Sequence, residues 1–82
     1  MYEILFYKNA QKQLEKLPKD VRVRVFSVLD RIKISPHSFV KRLVNTPYFR
    51  LRVGDYRLIL DIQAEKLIIF VVELGHRKSI YD

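Results

Sequence analysis

FRLRVGDYRLILDI, residues 49 to 62, carries two alternating runs on either side of Gly54-Asp55 and reads as a β-hairpin. Glycine at the first central position suits a two-residue type II′ turn, whose twist matches that of the strands it joins. Such a turn sets the register, with Val53 opposite Tyr56, Arg52 opposite Arg57 and Arg50 opposite Ile59. Side chains alternate along a strand, so Phe49, Leu51 and Val53 take one face while Arg50 and Arg52 take the other. Arg57 joins that second face, and Tyr56 falls with Phe49 and Leu51 on the first. Like charges directly opposite one another destabilise a sheet. Three guanidiniums placed together in the open therefore invite an anionic partner.

Working outward, residues 2–7, YEILFY, form a first strand of β-favouring residues. Ala10, Leu14 and Leu17 then recur at helical spacing, with Asn9 as N-cap and Pro18 as the stop. Pro18-Lys19-Asp20 turns the chain into a second helix, where Val21, Val25, Val28, Leu29 and Ile32 make the apolar stripe. Ser35-Pro36-His37-Ser38 ends this helical hairpin, and a connection runs through residues 39–47. Strands follow at residues 48–53, 56–62 and 66–74, the last two joined by a turn at Ala64-Glu65. The run LIIFVV, residues 67–72, suits a central strand covered on both sides, and Gly75 ends it. Carried into that strand, the register places Ile62 opposite Leu67 and Arg57 opposite Val72. His76, Arg77 and Tyr81 then emerge beside the arginine face. Glu73, among apolar neighbours, either pairs with an arginine or marks a bulge. The expectation is one α+β domain over residues 1–82: β-α-α-β-β-β, an antiparallel sheet with the helical hairpin packed on one face.

Composition narrows the class. Eighty-two residues at 49% hydrophobic content support a single modest core. There is no cysteine, which excludes disulfides and thiolate metal sites. The two histidines, His37 and His76, have no carboxylates at ligand spacing, so neither a metal nor a cofactor is expected, and His37 reads as a structural or exposed turn residue. The start lacks a basic n-region and no apolar run reaches transmembrane length, giving a soluble cytoplasmic protein with no membrane role as the expectation. The formal net charge is +7, which points first to nucleic acid. The charge is clustered: between residues 41 and 57, Lys41, Arg42, Arg50, Arg52 and Arg57 stand against Asp55 alone.

Arg50-x-Arg52, then Gly-x-Tyr-Arg ending at Arg57, then Gly-His-Arg at Arg77 and a tyrosine at Tyr81 resemble the RelE/ParE toxin superfamily, and its RelE branch most closely. The resemblance extends over nearly the whole chain. It implies a type II toxin that cuts messenger RNA on the ribosome without a metal and is neutralised by a cognate RelB-like antitoxin. Where the best-matched members carry two lysines this chain has Arg50 and Arg52. The resemblance carries the remaining catalytic roles onto Arg57, Arg77 and Tyr81. The turn before Gly54 is shorter than in those members, and the sequence ends at Asp82 with no added C-terminal helix.

Those residue types fit the chemistry. Metal-free RNA cleavage moves a 2′-OH onto the adjacent phosphate, giving a cyclic phosphate and a free 5′-OH. Fixed guanidiniums stabilise the charge that builds on the phosphorus oxygens. An aromatic such as Tyr81 stacks on a base or hydrogen-bonds the nucleophile. Proton transfer is the weak point, because arginine stays protonated and tyrosine ionises only in alkaline solution. Histidine is the residue type suited to neutral pH, which makes His76 the candidate acid–base group. Lys41, Arg42 and Tyr48 are the candidate RNA or ribosome contacts.

Each of these residues also has a structural reading. Arg50 and Arg52 are then the solvated face of an edge strand, Arg77 pairs with Asp82 or the terminal carboxylate, Tyr81 belongs to a tail and His76 to the surface. Two other functions remain open at this stage: a ParE-like inhibitor of DNA gyrase without nuclease activity, and a basic module that binds RNA without cutting it.

Overall fold

The hairpin forms with the register its turn demands. Val53 pairs with Tyr56, Arg52 with Arg57 and Arg50 with Ile59. Gly54 takes φ +59° while Asp55 keeps a negative φ, the combination that defines a II′ turn. The computed structural model describes residues 1–76. In chain order these form β1 (Glu3–Phe6), α1 (Lys8–Glu15), α2 (Lys19–Ile32), a single 3₁₀ turn (Pro36–Ser38), β2 (Lys41–Arg42), β3 (Phe49–Val53), β4 (Tyr56–Gln63) and β5 (Ile68–His76). Among the described residues no helix is long and apolar enough to cross a membrane.

The five strands lie in the order β1-β5-β4-β3-β2. Two points correct the expected sheet. It is mixed rather than wholly antiparallel, because β1 runs parallel to β5, with Ile4 beside Ile69 and Phe6 beside Val71. It also gains β2, two residues taken from the expected connection, which pair with β3.

Both helices cover one face. Ala10 and Leu14 of α1, and Val25, Leu29 and Ile32 of α2, pack with Leu51, Val53, Leu58, Leu60, Ile69, Val71 and Leu74 into one core. These strand residues alternate with the ones facing away, so period two in the sheet meets the helical period across a single layer. The stripe read from α2 holds, with Val21 and Val28 half-buried at its margins. In α1 the start is corrected. The N-cap is Tyr7, without a side-chain cap, and Asn9 lies inside the first turn. Its amide instead donates to the Val72 carbonyl at 3.2 Å.

The register of β5 is the larger correction. Ile62 pairs with Ile69, not Leu67, and Arg57 pairs with Gly75, not Val72. The β4–β5 turn takes four residues instead of two. Lys66 and Leu67 donate back to the Gln63 and Ala64 carbonyls, and Leu67 closes the turn in the left-handed region at φ 56°. A bulge then shifts the pairing between Ile59 and Leu60, leaving Val72 as the extra residue and Glu73, exposed, directly after it. Gly75 does not end the strand, since β5 continues to His76.

Candidate functional site

Alternation carries Arg50, Arg52 and Arg57 to the face of the sheet opposite the helices, as the hairpin reading requires. The short β2 brings Lys41 alongside, paired with Arg50. With Phe39 these four cations line a cleft of about 160 Å³. Ile59 lies on the same face, between Arg50 on β3 and Glu73 on β5, and is buried.

The arginines are not equivalent. Arg52 is exposed, and its Nε donates to the Gly54 carbonyl at 3.2 Å, which draws it along the hairpin tip. Arg57, read from the sequence as exposed, is half-buried, and its Nε is closed off from solvent. A guanidinium held in this way keeps its fork aimed while its neighbour remains adaptable, and both can grip phosphate oxygens bidentately. One step from the turn, Arg52 and Arg57 occupy a cross-strand pair. Side chains at such pairs sit roughly 5 Å apart at Cβ, so the charge density is high before any ligand arrives.

The other sequence candidates separate. Arg42 does not join the cleft: it pairs with Phe49 across β2–β3 and stands over the Phe49 ring, 5.8 Å from its centroid. His37 meets that same ring edge-on at 5.2 Å, a bracing role in keeping with its structural reading. Tyr48 is half-buried just ahead of β3, its amide bonded to Thr46 Oγ1 at 3.1 Å. His76 departs furthest from expectation. It remains in the sheet, paired with Tyr56, and the two rings meet edge-on at 5.3 Å. Tyr56 shares the face of Val53, so alternation sends His76 to the helix-covered side, away from the arginines. The one-residue bulge in β5 is what turns it to that side, since the two-residue shift from the longer turn leaves each side chain on its face. Arg77 and Tyr81 lie outside the described residues.

Sequence reading missed Phe39. It sits in no periodic run, and only the pairing of β2 with β3, a contact between distant segments, brings it to the cleft.

A phosphodiester fits the arrangement chemically. Converging cations neutralise a phosphate, and a pentavalent phosphorus with more charge on its oxygens gains more from them than the ground state does.

Comparison with known proteins agrees with the geometry. The family model described as the ParE toxin of type II toxin–antitoxin systems matches residues 4–81. The chain is 31% identical to toxin RelE3 of Methanocaldococcus jannaschii over 88 residues, covering 98% of this chain and 96% of that one. It is 30% identical to the mRNA interferase toxin RelE of Escherichia coli K12, over 94% of this chain and 84% of that one. Among solved structures, the RelE–RelB complex of Pyrococcus horikoshii aligns with a TM-score of 0.81 at 28% identity, covering 96% and 98% of the two chains. The RelBE2 complex of Mycobacterium tuberculosis aligns at 0.83 and 26%, covering 93% and 98%. A five-stranded sheet with two helices on one face, a basic cleft on the other and relatives of nearly the same length place the chain in the RelE/ParE superfamily of type II toxin–antitoxin toxins, as a RelE-like member.

Proposed function

We propose that this protein is a ribosome-dependent endoribonuclease that cuts messenger RNA during translation, and that a RelB-like antitoxin holds it in check in the cytoplasm. The observation that carries the reading is the cleft itself: Lys41, Arg50, Arg52 and Arg57, drawn from three strands, line one opening on the uncovered face of the sheet. RelE of E. coli, 30% identical, is named an mRNA interferase, and RelE proteins of M. tuberculosis and P. horikoshii are found in complex with RelB.

In this reading the message lies across the cleft with its scissile phosphate against Arg57 and Arg52. The ribosome presents a 2′-OH in line with the adjacent phosphorus. Attack forms the P–O2′ bond, the P–O5′ bond breaks, and the products are a 2′,3′-cyclic phosphate and a 5′-OH. The proton leaves O2′ and a proton reaches O5′. Arg50, Arg52 and Arg57 stabilise the added negative charge, Lys41 anchors a neighbouring phosphate, and Arg77 and Tyr81 take the roles at the leaving oxygen and the nucleophile that the family resemblance carries onto them. The position of His76 on the helix side of the sheet supports leaving it out of proton transfer.

The test is primer extension on a message translated in a purified system. Codon-phased cleavage by the wild type, lost in Arg57→Ala, is the expected result. Intact message together with inhibited gyrase supercoiling would instead support a ParE-like role.

A further inference from the structure

Resting on the RNA-cleavage reading above, we propose that Phe39 is a stacking platform for a nucleobase of the bound message, and so a positioning residue at the edge of the arginine cleft. The ring is 47% exposed and stands outside the hydrophobic core. It nevertheless lines the same opening as Lys41, Arg50, Arg52 and Arg57. A half-exposed phenyl ring beside four cations has two ways to be useful: it can hold a cation over its face, or it can wait for a ligand. The first occurs elsewhere in this molecule, where Arg42 covers Phe49. Among the described residues Phe39 has no cation over its ring and no aromatic partner.

Its position is set before any ligand binds. Pro36, buried and with φ restricted by its ring, opens the 3₁₀ turn. The Phe39 amide closes that turn onto the Pro36 carbonyl at 3.2 Å. Two residues later Lys41 locks into the sheet against Arg50. A cationic groove that tracks phosphates, flanked by a fixed aromatic on which a base can lie, is the arrangement by which single-stranded nucleic acid is gripped. Stacking tolerates every base because each has a π-face, so the platform contributes affinity and alignment without reading sequence. Once a base rests on Phe39, the phosphate beside it is held against Arg52 and Arg57 in a reproducible place.

The experiment is single-turnover cleavage on ribosomes programmed with a defined message, with the toxin concentration varied. Phe39→Ala should raise the half-saturating concentration by roughly tenfold, in line with the loss of one base stack, and leave the maximal rate near that of wild type. Phe39→Trp should restore wild-type saturation and Phe39→Leu should not, because only the first keeps a π-face. A Phe39→Leu variant equal to wild type would overturn the proposal in favour of plain apolar bulk. Unchanged saturation in Phe39→Ala would overturn it outright, as would a collapse of its melting temperature, which would make the ring structural. In all three cases a wild type that still cuts leaves the nuclease reading standing. A wild type that cuts no message overturns that reading and this one with it.

Discussion

The backbone amide of Leu74, deep in β5, donates to the side-chain oxygen of Gln13 on α1 at 2.9 Å. One helical turn earlier, Asn9 reaches the Val72 carbonyl. β1 stops pairing at Phe6, which lies beside Val71, so among the described residues that edge of β5 has no neighbouring strand from Val72 onward. Two amides spaced i, i+4 on α1, which share one face of the helix, take over where the strand ends. They hold the bulged segment that brings Gly75 opposite Arg57.

Removing the acceptor should therefore be felt at the bulge. Gln13→Ala leaves the Leu74 amide without its partner and should cost about 1–3 kcal/mol. Gln13→Glu keeps an oxygen there and should cost less. Urea unfolding gives the stability, and hydrogen exchange at Leu74 gives the location. Exchange as slow as in wild type would show that the bond is dispensable.

Arg52 and Arg57 face each other across the hairpin, yet their substitutions should differ. Arg52→Ala removes an exposed charge and should change stability by less than about 0.5 kcal/mol. Arg57→Ala strips a half-buried stem and should cost more, while lowering cleavage by at least about a hundredfold, the usual loss for a donor aimed at developing charge. Arg57→Lys keeps the charge but not the fork and should recover only part of the rate. In a double-mutant cycle the pair should show repulsion of about 0.2–1 kcal/mol. Thermal melts of the four proteins check the sign, and an attractive coupling would contradict the reading.

The two turns of the long hairpins should respond in opposite directions. Gly54→Ala forces a side chain to φ +59°, with its Cβ 3.2 Å from the Arg24 guanidinium, and should destabilise by about 1–2 kcal/mol. Leu67 already endures φ 56° with half its side chain in water. Leu67→Gly relieves that strain and should stabilise by up to about 1 kcal/mol. Denaturant midpoints measured side by side settle both.

The last test separates Tyr81 from His76, the acid–base candidate that the sequence offered. Tyr81→Phe and Tyr81→Ala should both fail to cut if the hydroxyl is what matters, whereas a stacking role would spare the first. His76→Ala should cleave normally while losing the edge-on contact with Tyr56, worth about 0.5–1.5 kcal/mol. Rates on programmed ribosomes, read beside melting curves, distinguish the cases. An inactive but well-folded His76→Ala protein would reverse the assignment.

The hairpin could be read from sequence because everything that determines it is local: a glycine at the turn, alternation on both sides and no room for a second register. The helices were legible for the same reason, their apolar residues recurring at Ala10 and Leu14 and again through Val25, Leu29 and Ile32. What escaped depends on distant partners or single residues. β2 is two residues long and has no pattern of its own. The parallel pairing of β1 with β5 joins segments more than sixty residues apart. A leucine is an improbable occupant of a left-handed position, so Leu67 gave no sign that the turn runs to four residues. The bulge at Val72 depends on Asn9 and Gln13, which look like ordinary surface amides. The four-residue turn moved the β5 register by two, which keeps each side chain on its face; the one-residue bulge then moved His76 off the arginine face, and the missing β2 hid Phe39.

β5, the strand that joins β1 to the rest of the sheet, follows all the others in the chain. Until Ile68–His76 has been synthesised, β1 has nothing to lie against and β4 has one side unpaired, so neither the sheet nor the core beneath the cleft, which takes Ile69, Val71 and Leu74 from β5, can be completed. Pairings of such long sequence separation also form slowly. A growing chain consequently carries the basic residues but lacks the surface that aims them. In an enzyme proposed to attack translating ribosomes, that order of synthesis protects the ribosome making it: the blade is closed for as long as the hand is still on it.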